Sequence, residues 1–532
     1  MSEETGGGTD KGLMPQLPEI VQALLETKAY PETPPKVEMV QTQMSFVFFA
    51  GDYVYKIKKP VNLGYLDYTT LEKRKFFCEQ EIELNRRLCI GTYIGVVPVT
   101  RDKSGNLSLK EEGEIIEYAV RMRRLPQDAM MDVLLGKNQV SPEMVKRIAE
   151  KLVKFHQSTK TSAKITIFGT LGTIRQNTEE NFTQTEKYIG STVTQEQFRR
   201  IKEYTDNFVK KYASLFDKRV MEGRIRDCHG DLHAAHICIT DDICIYDCIE
   251  FNDRFRYCDV ASEVAFLAMD MDHYGRADLT HLFVNSYVEM SGDKELKELL
   301  NFYKCYRAYV RAKVNSFKVD DPHISETERQ ETLEIARSYF DLAEFYTISK
   351  PILVITTGFV GTGKTALAQA LAKRLGLAVT SSDVVRKQLA SIPLTQHRFE
   401  KFDSGIYSAD FTRKTYDTMF SEAKNVLNEG GSVILDASFM KAEERLKAKE
   451  LAGETGADFF IIECRIDEES IKQRLAQRLK EGSPSDGRWE IYEPQKKRFE
   501  PVTEVPPANH IVVDTSENAD RLVNQIKAKI LK

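Results

Sequence analysis

No apolar run in this 532-residue chain approaches the roughly 20 residues that cross a bilayer, so no transmembrane helix and no membrane partner are expected. The opening stretch, MSEETGGGTDKG, lacks the basic and hydrophobic regions of a secretory signal. The expectation is a cytoplasmic protein. None of the nine cysteines forms a C-x-x-C pair. Five of them (Cys228, Cys238, Cys244, Cys248, Cys258) crowd one stretch that also carries His229, His233 and His236, but zinc-ligand spacings are missing. Reduced, buried thiols are therefore expected. There is no basic excess. Lys plus Arg is 75 and Asp plus Glu is 80, a net charge of −5, which excludes coating nucleic acid by bulk charge but leaves a local basic groove open. No internal repeat or low-complexity segment is present. What remains is an ordinary globular composition, 42% apolar and 29% charged, long enough for two large units or about three of ~150 residues.

Residues 1–35 read as a flexible tail with a short helix, Leu17 to Leu25, followed by a proline-rich connector, Tyr30-Pro-Glu-Thr-Pro-Pro35. Two β-rich runs then flank Ala50-Gly51-Asp52, a hairpin signal. Residues 71–88 are helical in composition, and a strand is predicted from Ile115 into Arg121-Met-Arg-Arg-Leu125. Ser141-Pro142 reads as an N-cap with proline at the first helical position, and the helix after it places Val145, Ile148, Leu152 and Phe155 on one face. Residues 175–217 read as a polar helical insert, 228–258 as short strands and turns, and about 259–346 as long helix. Asp259 reads as a buried N-cap. Ser349-Lys350-Pro351 marks a boundary. Beyond it, strand–loop–helix units alternate, which argues a parallel α/β sheet.

Gly358-Phe-Val-Gly361-Thr362-Gly363-Lys364-Thr365 fits G-x-x-x-x-G-K-[ST], with an apolar strand before it and a helix after it. Glycines let backbone N–H groups close on phosphate oxygens at a helix N-terminus. Lys364 would reach the β- and γ-phosphates, and Thr365 would hold Mg2+. Asp436 ends the apolar run Ser432-Val-Ile-Leu435 and suits the metal shell, or a helix cap. Asp383 follows a short strand, with Arg386 three residues on. The Asp suits a base for an attacking hydroxyl, or an N-cap, and the Arg suits an anionic acceptor group. Arg474 and Arg478 lie four apart on a later helix, with Arg488 in the loop beyond. They suit a closing lid, or a solvated face. This half, residues 351–532, resembles the small P-loop kinases of the gluconate-kinase, zeta-toxin and polynucleotide-kinase kinds. The resemblance implies Asp383 as base, and the lack of N-K-x-D makes ATP the expected donor.

In the first half, His229-Gly-Asp231-Leu-His233-Ala-Ala-His236 is followed by Ile245-Tyr-Asp247. A loop carboxylate and a strand-end carboxylate suit a hydroxyl-activating base and a metal ligand. Lys56 and Glu81 suit a phosphate-positioning pair. Residues 36–345 resemble the aminoglycoside phosphotransferase family, whose catalytic loop is H-G-D-x-x-x-x-N. The resemblance implies Asp231 as catalytic base, Asp247 as metal ligand and Lys56 as the strand lysine. Glu81 is its helix partner, with Glu79 a rival. The loop's metal-binding Asn falls on His236, and imidazole suits Mg2+ less well than an amide oxygen. His229 braces the loop, and His233 reads as a loop residue.

The combined expectation is an α/β and α+β two-domain chain. Residues 36–348 form a protein-kinase-like domain and 349–532 a P-loop parallel α/β sandwich. It would be a bifunctional kinase using ATP and Mg2+ on a small-molecule hydroxyl or a nucleic-acid end. The sequence assigns no acceptor and no oligomeric state.

Overall fold

The computed structural model describes residues 17–110, 113–322, 324–394, 396–398, 403–478 and 485–531. The expected tail at 1–12 lies outside them. The chain forms two compact units. One runs through Val133 and adds His229–Tyr257; the other comprises Leu134–Cys228 and everything from Cys258 on.

The first unit is built on a six-stranded sheet. Its strands are β1 (Val37–Gln41), β2 (Ser45–Ala50), β3 (Tyr53–Lys58), β4 (Tyr93–Arg101), β5 (Leu107–Ser108) and β6 (Glu114–Arg123), in the order β1-β2-β3-β6-β4-β5, and every adjacent pair is antiparallel. Side chains alternate across a strand, so β2 and β3 each serve two cores. Phe46, Phe48, Tyr55 and Ile57 pack with Val21 and Leu24 of helix α1 (Glu19–Leu24). Val47, Phe49 and Val54 face helix α2 (Leu71–Asn85), where Cys78 and Ile82 meet them. The proline-rich connector is more than a spacer. Tyr30 is fully buried in the first core and donates its hydroxyl to Leu24 O at 2.7 Å. A small hairpin, β7 (Ile237–Ile239) with β8 (Ile243–Ile245), completes the unit.

One expectation about the cysteines is corrected. Cys89 and Cys244, 155 residues apart in sequence, form a disulfide with a Cα–Cα separation of 4.5 Å. Cys89 lies just beyond α2 and Cys244 lies on β8, so the bond arises because the fold sets two distant segments side by side. The other seven cysteines form no disulfide among the described residues, and all but Cys258 are buried.

The second unit begins with helices. Helix α3 (Pro142–Ser158) is capped by Ser141 Oγ, which accepts from Met144 N, and buries the predicted stripe Val145, Ile148, Leu152 and Phe155. Helix α4 (Val260–His273) is buried from Val260 to Asp272. Asp259 caps it, accepting from Ala261 N at 2.8 Å, and also binds the Arg219 guanidinium at 2.6 and 2.7 Å. Two long helices follow, α5 (Leu296–Val319) and α6 (Glu326–Phe345).

The same unit then carries a five-stranded parallel sheet. Its strands are β9 (Ile352–Thr357), β10 (Ala378–Ser381), β11 (Val433–Asp436), β12 (Asp458–Arg465) and β13 (His510–Asp514), in the order β10-β11-β9-β12-β13. Central β9 is buried at every residue, as a parallel strand covered on both faces must be. Helices α7 (Lys364–Leu375) and α12 (Ala519–Ile530) cover one face. Helices α9 (Ala409–Asn428) and α10 (Ala442–Thr455) cover the other. Helix α8 (Ser382–Leu389) follows β10, and α11 (Glu468–Arg478) follows β12. Among the described residues, no helix is long and apolar enough to cross a membrane.

Candidate active site

In the second unit, β9 delivers its chain directly into the Gly358–Gly363 loop. Gly358, Gly361 and Gly363 all have positive φ, at 136°, 79° and 84°. A Cβ on Gly358 would lie 2.5 Å from Cys464 O, so no larger residue fits there. Lys364 opens α7, and its Nζ donates to Gly358 O at 3.0 Å and Phe359 O at 2.7 Å. The loop is thus held wrapped around the position a phosphate tail would take. Thr362 turns inward: its Oγ1 donates to Phe359 O at 2.8 Å, and its carbonyl accepts from Thr515 Oγ1 at 2.7 Å.

A cavity of about 450 Å3 opens before this loop, lined by Lys364, Thr365, Asp383, Arg386 and Asp436 among others. Asp436 ends β11 and is buried. Its carboxylate accepts from Thr356 Oγ1 at 3.3 Å, and the helix that follows is capped at Lys441 instead. Burial, aided by the nearby Asp383 charge, raises its pKa, while Thr365, Lys364 and Thr356 oppose the rise. The hydroxyl and carboxylate that would share a Mg2+ thus line the same cavity, and the donor set suits a hard cation. Asp383 sits in the first turn of α8, but the N-cap position belongs to Ser381, which makes no side-chain cap bond.

Arg386 lines the cavity but is already engaged. Its Nη1 donates to Ile406 O at 2.5 Å and Thr412 Oγ1 at 3.1 Å, and the guanidinium lies over the Tyr407 ring. Its Nε is buried without a partner among the described residues. Arg474 is not in the cavity lining. It stands beside Gly363, with Nη1 on Thr515 Oγ1 at 3.0 Å and Nη2 on Thr515 O at 2.7 Å, because the end of β13 supplies two acceptors on its way. Arg478 ends α11, and its side chain lies outside the described residues.

Sequence reasoning missed much of the cavity wall. Thr412, Arg413, Tyr416, Asp417 and Phe420 line it from α9. Their spacing, i, i+1, i+4, i+5 and i+8, is one helical face and was readable as a polar-aromatic stripe. Asp486 was not readable. It joins the lining by accepting from Tyr407 Oη at 2.8 Å and pairing with His397 at 3.1 Å, contacts made across 79 and 89 residues.

In the first unit, period-two alternation on β3 places Val54, Lys56 and Lys58 on the α2 side. Lys56 Nζ reaches Glu81 Oε1 at 3.0 Å and Asp247 Oδ1 at 2.7 Å. Lys58 lies between Glu81, at 2.7 Å, and Glu250. Glu81 is fully buried, whereas Glu79 is half exposed and pairs loosely with Lys75 at 3.7 Å, so Glu81 is the helix partner. Burial would lower the Lys56 pKa, but Asp247 and Glu81 hold it well above lysine's ordinary value. Burial would likewise raise Asp247, but Lys56 and His236 hold it below the usual carboxylate range.

The loop before β7 gathers three of the chain's nine histidines. His229 Nε2 donates to Tyr246 O at 2.9 Å and braces the loop. His236 Nδ1 donates to Asp231 O at 3.0 Å, while its Nε2 faces Asp247 Oδ2 at 3.6 Å. His233 Nε2 lies 3.6 Å from Asp231 Oδ2. Burial, with His233 adding to it, pushes His236 down to about 4. Asp247 itself has φ of 62°, a left-handed backbone that a non-glycine residue adopts at a cost of roughly 1–2 kcal/mol. Lys56, Glu81, Asp231, His236 and Asp247, expected from separate motifs, thus form one constellation.

The loop, the parallel sheet and the lysine–threonine–aspartate set define a P-loop kinase-like domain. Residues 353–502 match the AAA domain family model AAA_33. The whole chain belongs to the family of the uncharacterized Mycobacterium tuberculosis protein Rv2004c: the two are 31% identical over 465 residues, covering 87% of this chain and 90% of the relative. The Mycobacterium bovis counterpart Mb2027c matches equally. Among solved structures, the APS kinase CysC of M. tuberculosis, solved with AMPPNP and APS, is 18% identical over 34% of this chain and 99% of its own, with a TM-score of 0.26. A choline/ethanolamine kinase family protein of Mesorhizobium loti is 12% identical over 62% of this chain and 98% of its own, with a TM-score of 0.36.

Proposed function

We propose that this chain is an ATP-dependent phosphotransferase with two nucleotide centres, one in each unit, each moving a γ-phosphate to a hydroxyl. The observation that carries the reading is the shared cavity of Lys364, Thr365, Asp383 and Asp436 before an intact glycine loop. There the loop amides and Lys364 bind the phosphate tail. Asp383 takes the acceptor's proton as its oxygen bonds to the γ-phosphorus and the bond to the ADP oxygen breaks. Thr365 and Asp436 would hold Mg2+, which supplies charge neutralisation on the β- and γ-phosphates when bound.

In the first unit, Lys56, held by Glu81, positions phosphates. Asp231 is the base, and Asp247 with His236 would hold the cation. Purified protein should consume ATP and yield a phosphorylated hydroxyl. Lys364→Ala and Asp231→Ala should each remove one activity, and full transfer in the double variant would refute the reading.

The arginine-bearing cavity supports a narrower version for the P-loop half, a 5′-hydroxyl nucleic-acid end as acceptor. Label transfer from ATP to 5′-hydroxyl oligonucleotides tests it, and silence across RNA and DNA ends removes it. His236 supports a regulatory version for the first unit, nucleotide sensing without transfer. Equal turnover by both centres would argue against that.

A further inference from the structure

We propose that the loop site of the first unit selects a nitrogen-seeking divalent cation, of the Co2+, Ni2+ and Zn2+ class, over Mg2+. Its ligands are His236 Nε2 and Asp247 Oδ2, with His233 and Asp231 at the rim. The proposal deepens the phosphotransfer reading of that site and rests on it for the cation's role.

The argument starts from one hydrogen bond. His236 Nδ1 lies 3.0 Å from Asp231 O. A carbonyl only accepts, so in the neutral ring Nδ1 carries the proton and Nε2 carries the lone pair. That lone pair faces Asp247 Oδ2 across 3.6 Å. With the ring neutral, two electron-pair donors face each other there, and a metal cation satisfies both. Two ligands at about 2.1 Å from one ion, at angles near 90–110°, stand roughly 3.0–3.4 Å apart, so the gap closes with a shift of a few tenths of an ångström.

The surroundings fit the same ion. Metal-bound histidines typically donate their other N–H to a backbone carbonyl or carboxylate, as His236 does. Lys56 occupies Asp247 Oδ1, at 2.7 Å, and leaves the Oδ2 side to the ion. One potential ligand atom each of Asp231, His233 and His236 lies within 4.8 Å of the other two, which sets a carboxylate and a second imidazole at the edge of the site. Mg2+ favours oxygen ligands, whereas imidazole suits the later transition ions. In the second histidine cluster, His156 with Cys228 and Glu263, both ring nitrogens are already engaged. His156 already bonds Tyr287 Oη and Glu263 Oε2, both at 2.7 Å.

The test uses the full chain without nucleotide. Co2+ is titrated and followed by its visible d–d absorption, and Zn2+ affinity is read by competition with a chromophoric chelator. Wild type should take up Co2+ at one site at least 10-fold more tightly than Mg2+. His236→Asn should lose at least 10-fold in Co2+ affinity, and Asp247→Asn should weaken it as well, with circular dichroism confirming that each variant folds. Lys364→Ala should bind Co2+ as wild type does. Co2+ binding no tighter than that of Mg2+, or undiminished in folded His236→Asn, overturns the proposal. ATP turnover in the Lys364→Ala background separates the two claims. Co2+ binding without turnover upholds the cation site and sinks the phosphotransfer reading of this unit. Turnover with Mg2+ but no Co2+ preference does the reverse.

Discussion

Asp436→Asn is expected to make the protein more stable while leaving its P-loop centre nearly inactive. The carboxylate ends β11 in a buried position, accepting from the Thr356 hydroxyl, with Thr365 lining the same cavity. Burial raises its pKa above the ordinary 3.8. An acid whose folded pKa exceeds its unfolded value binds protons more readily when folded. Its charge therefore costs stability at every pH above the folded value, and that cost vanishes as the pH falls below the unfolded one. Asn has the same shape, and both hydroxyls can rotate to serve its oxygen or its amide. The variant should melt above wild type at pH 7–8.5 without nucleotide, and the gap should narrow on acidification.

Function moves the other way. Asp436 would supply the charge that, with Thr365, holds the cation beside the phosphates. Losing one charge-assisted interaction of about 1.5–3 kcal/mol corresponds to roughly 10- to 150-fold in Mg2+-dependent turnover. Turnover is measured in an Asp231→Ala background, so that only the P-loop centre reports. A folded variant that melts below wild type at pH 8, or one whose turnover stays within twofold, would refute the reasoning.

Glu81→Gln should cost about 3–5 kcal/mol in denaturant unfolding, because Lys56 and Lys58 both lean on that buried carboxylate. Exposed Glu79→Gln should stay within about 0.5 kcal/mol, and equal effects would undo the assignment of the pair. Asp383→Asn should leave ATP binding intact while transfer to an acceptor falls about 100- to 10,000-fold, read by equilibrium binding beside product formation. Gly358→Ala should abolish nucleotide binding at the P-loop and lower the melting temperature, since its Cβ would sit 2.5 Å from Cys464 O. Burial pushes His273, stacked on Tyr339, down to about 4 from 6.5. The unfolded chain therefore takes up the proton first, and stability should fall by up to about 3 kcal/mol as pH drops from 6.5 to 4. His273→Phe should flatten that slope in urea titrations across the window.

The parts legible in the sequence were those whose chemistry is local. Gly358 to Thr365 is a contiguous motif, and Asp383 and Asp436 each follow a strand that announces itself by apolar run. Lys56 and Asp247 were each legible from their own runs, but that they meet was legible only through a family resemblance, because 191 residues separate two atoms that lie 2.7 Å apart. The choice of Glu81 over Glu79 needed the phase of α2 against β3, which composition does not encode. The Cys89–Cys244 bond was invisible for the same reason: a pairing across 155 residues has no spacing rule. The α9 stripe could have been read, but its polar members look like a solvated face until a cavity is known to lie before them.

The second unit also dictates how these questions must be asked. Phe345, at the end of α6, packs into the core of the parallel sheet with Ile352 and Leu371. Asp341 and Glu344 on the same helix pair with Arg374 of α7 and Lys527 of α12, the Lys527–Glu344 contact at 3.1 Å. Arg200 donates to Leu531 O at 2.5 Å. Cutting the chain near residue 349 would strip an aromatic anchor from that core and leave two cations facing water where carboxylates stood. The helix so weakened, α7, is the one whose N-terminus forms the phosphate loop. A truncated P-loop half would thus lose activity for reasons unrelated to its chemistry. Point variants in the intact chain, Lys364→Ala against Asp231→Ala, are the comparison that separates the two centres.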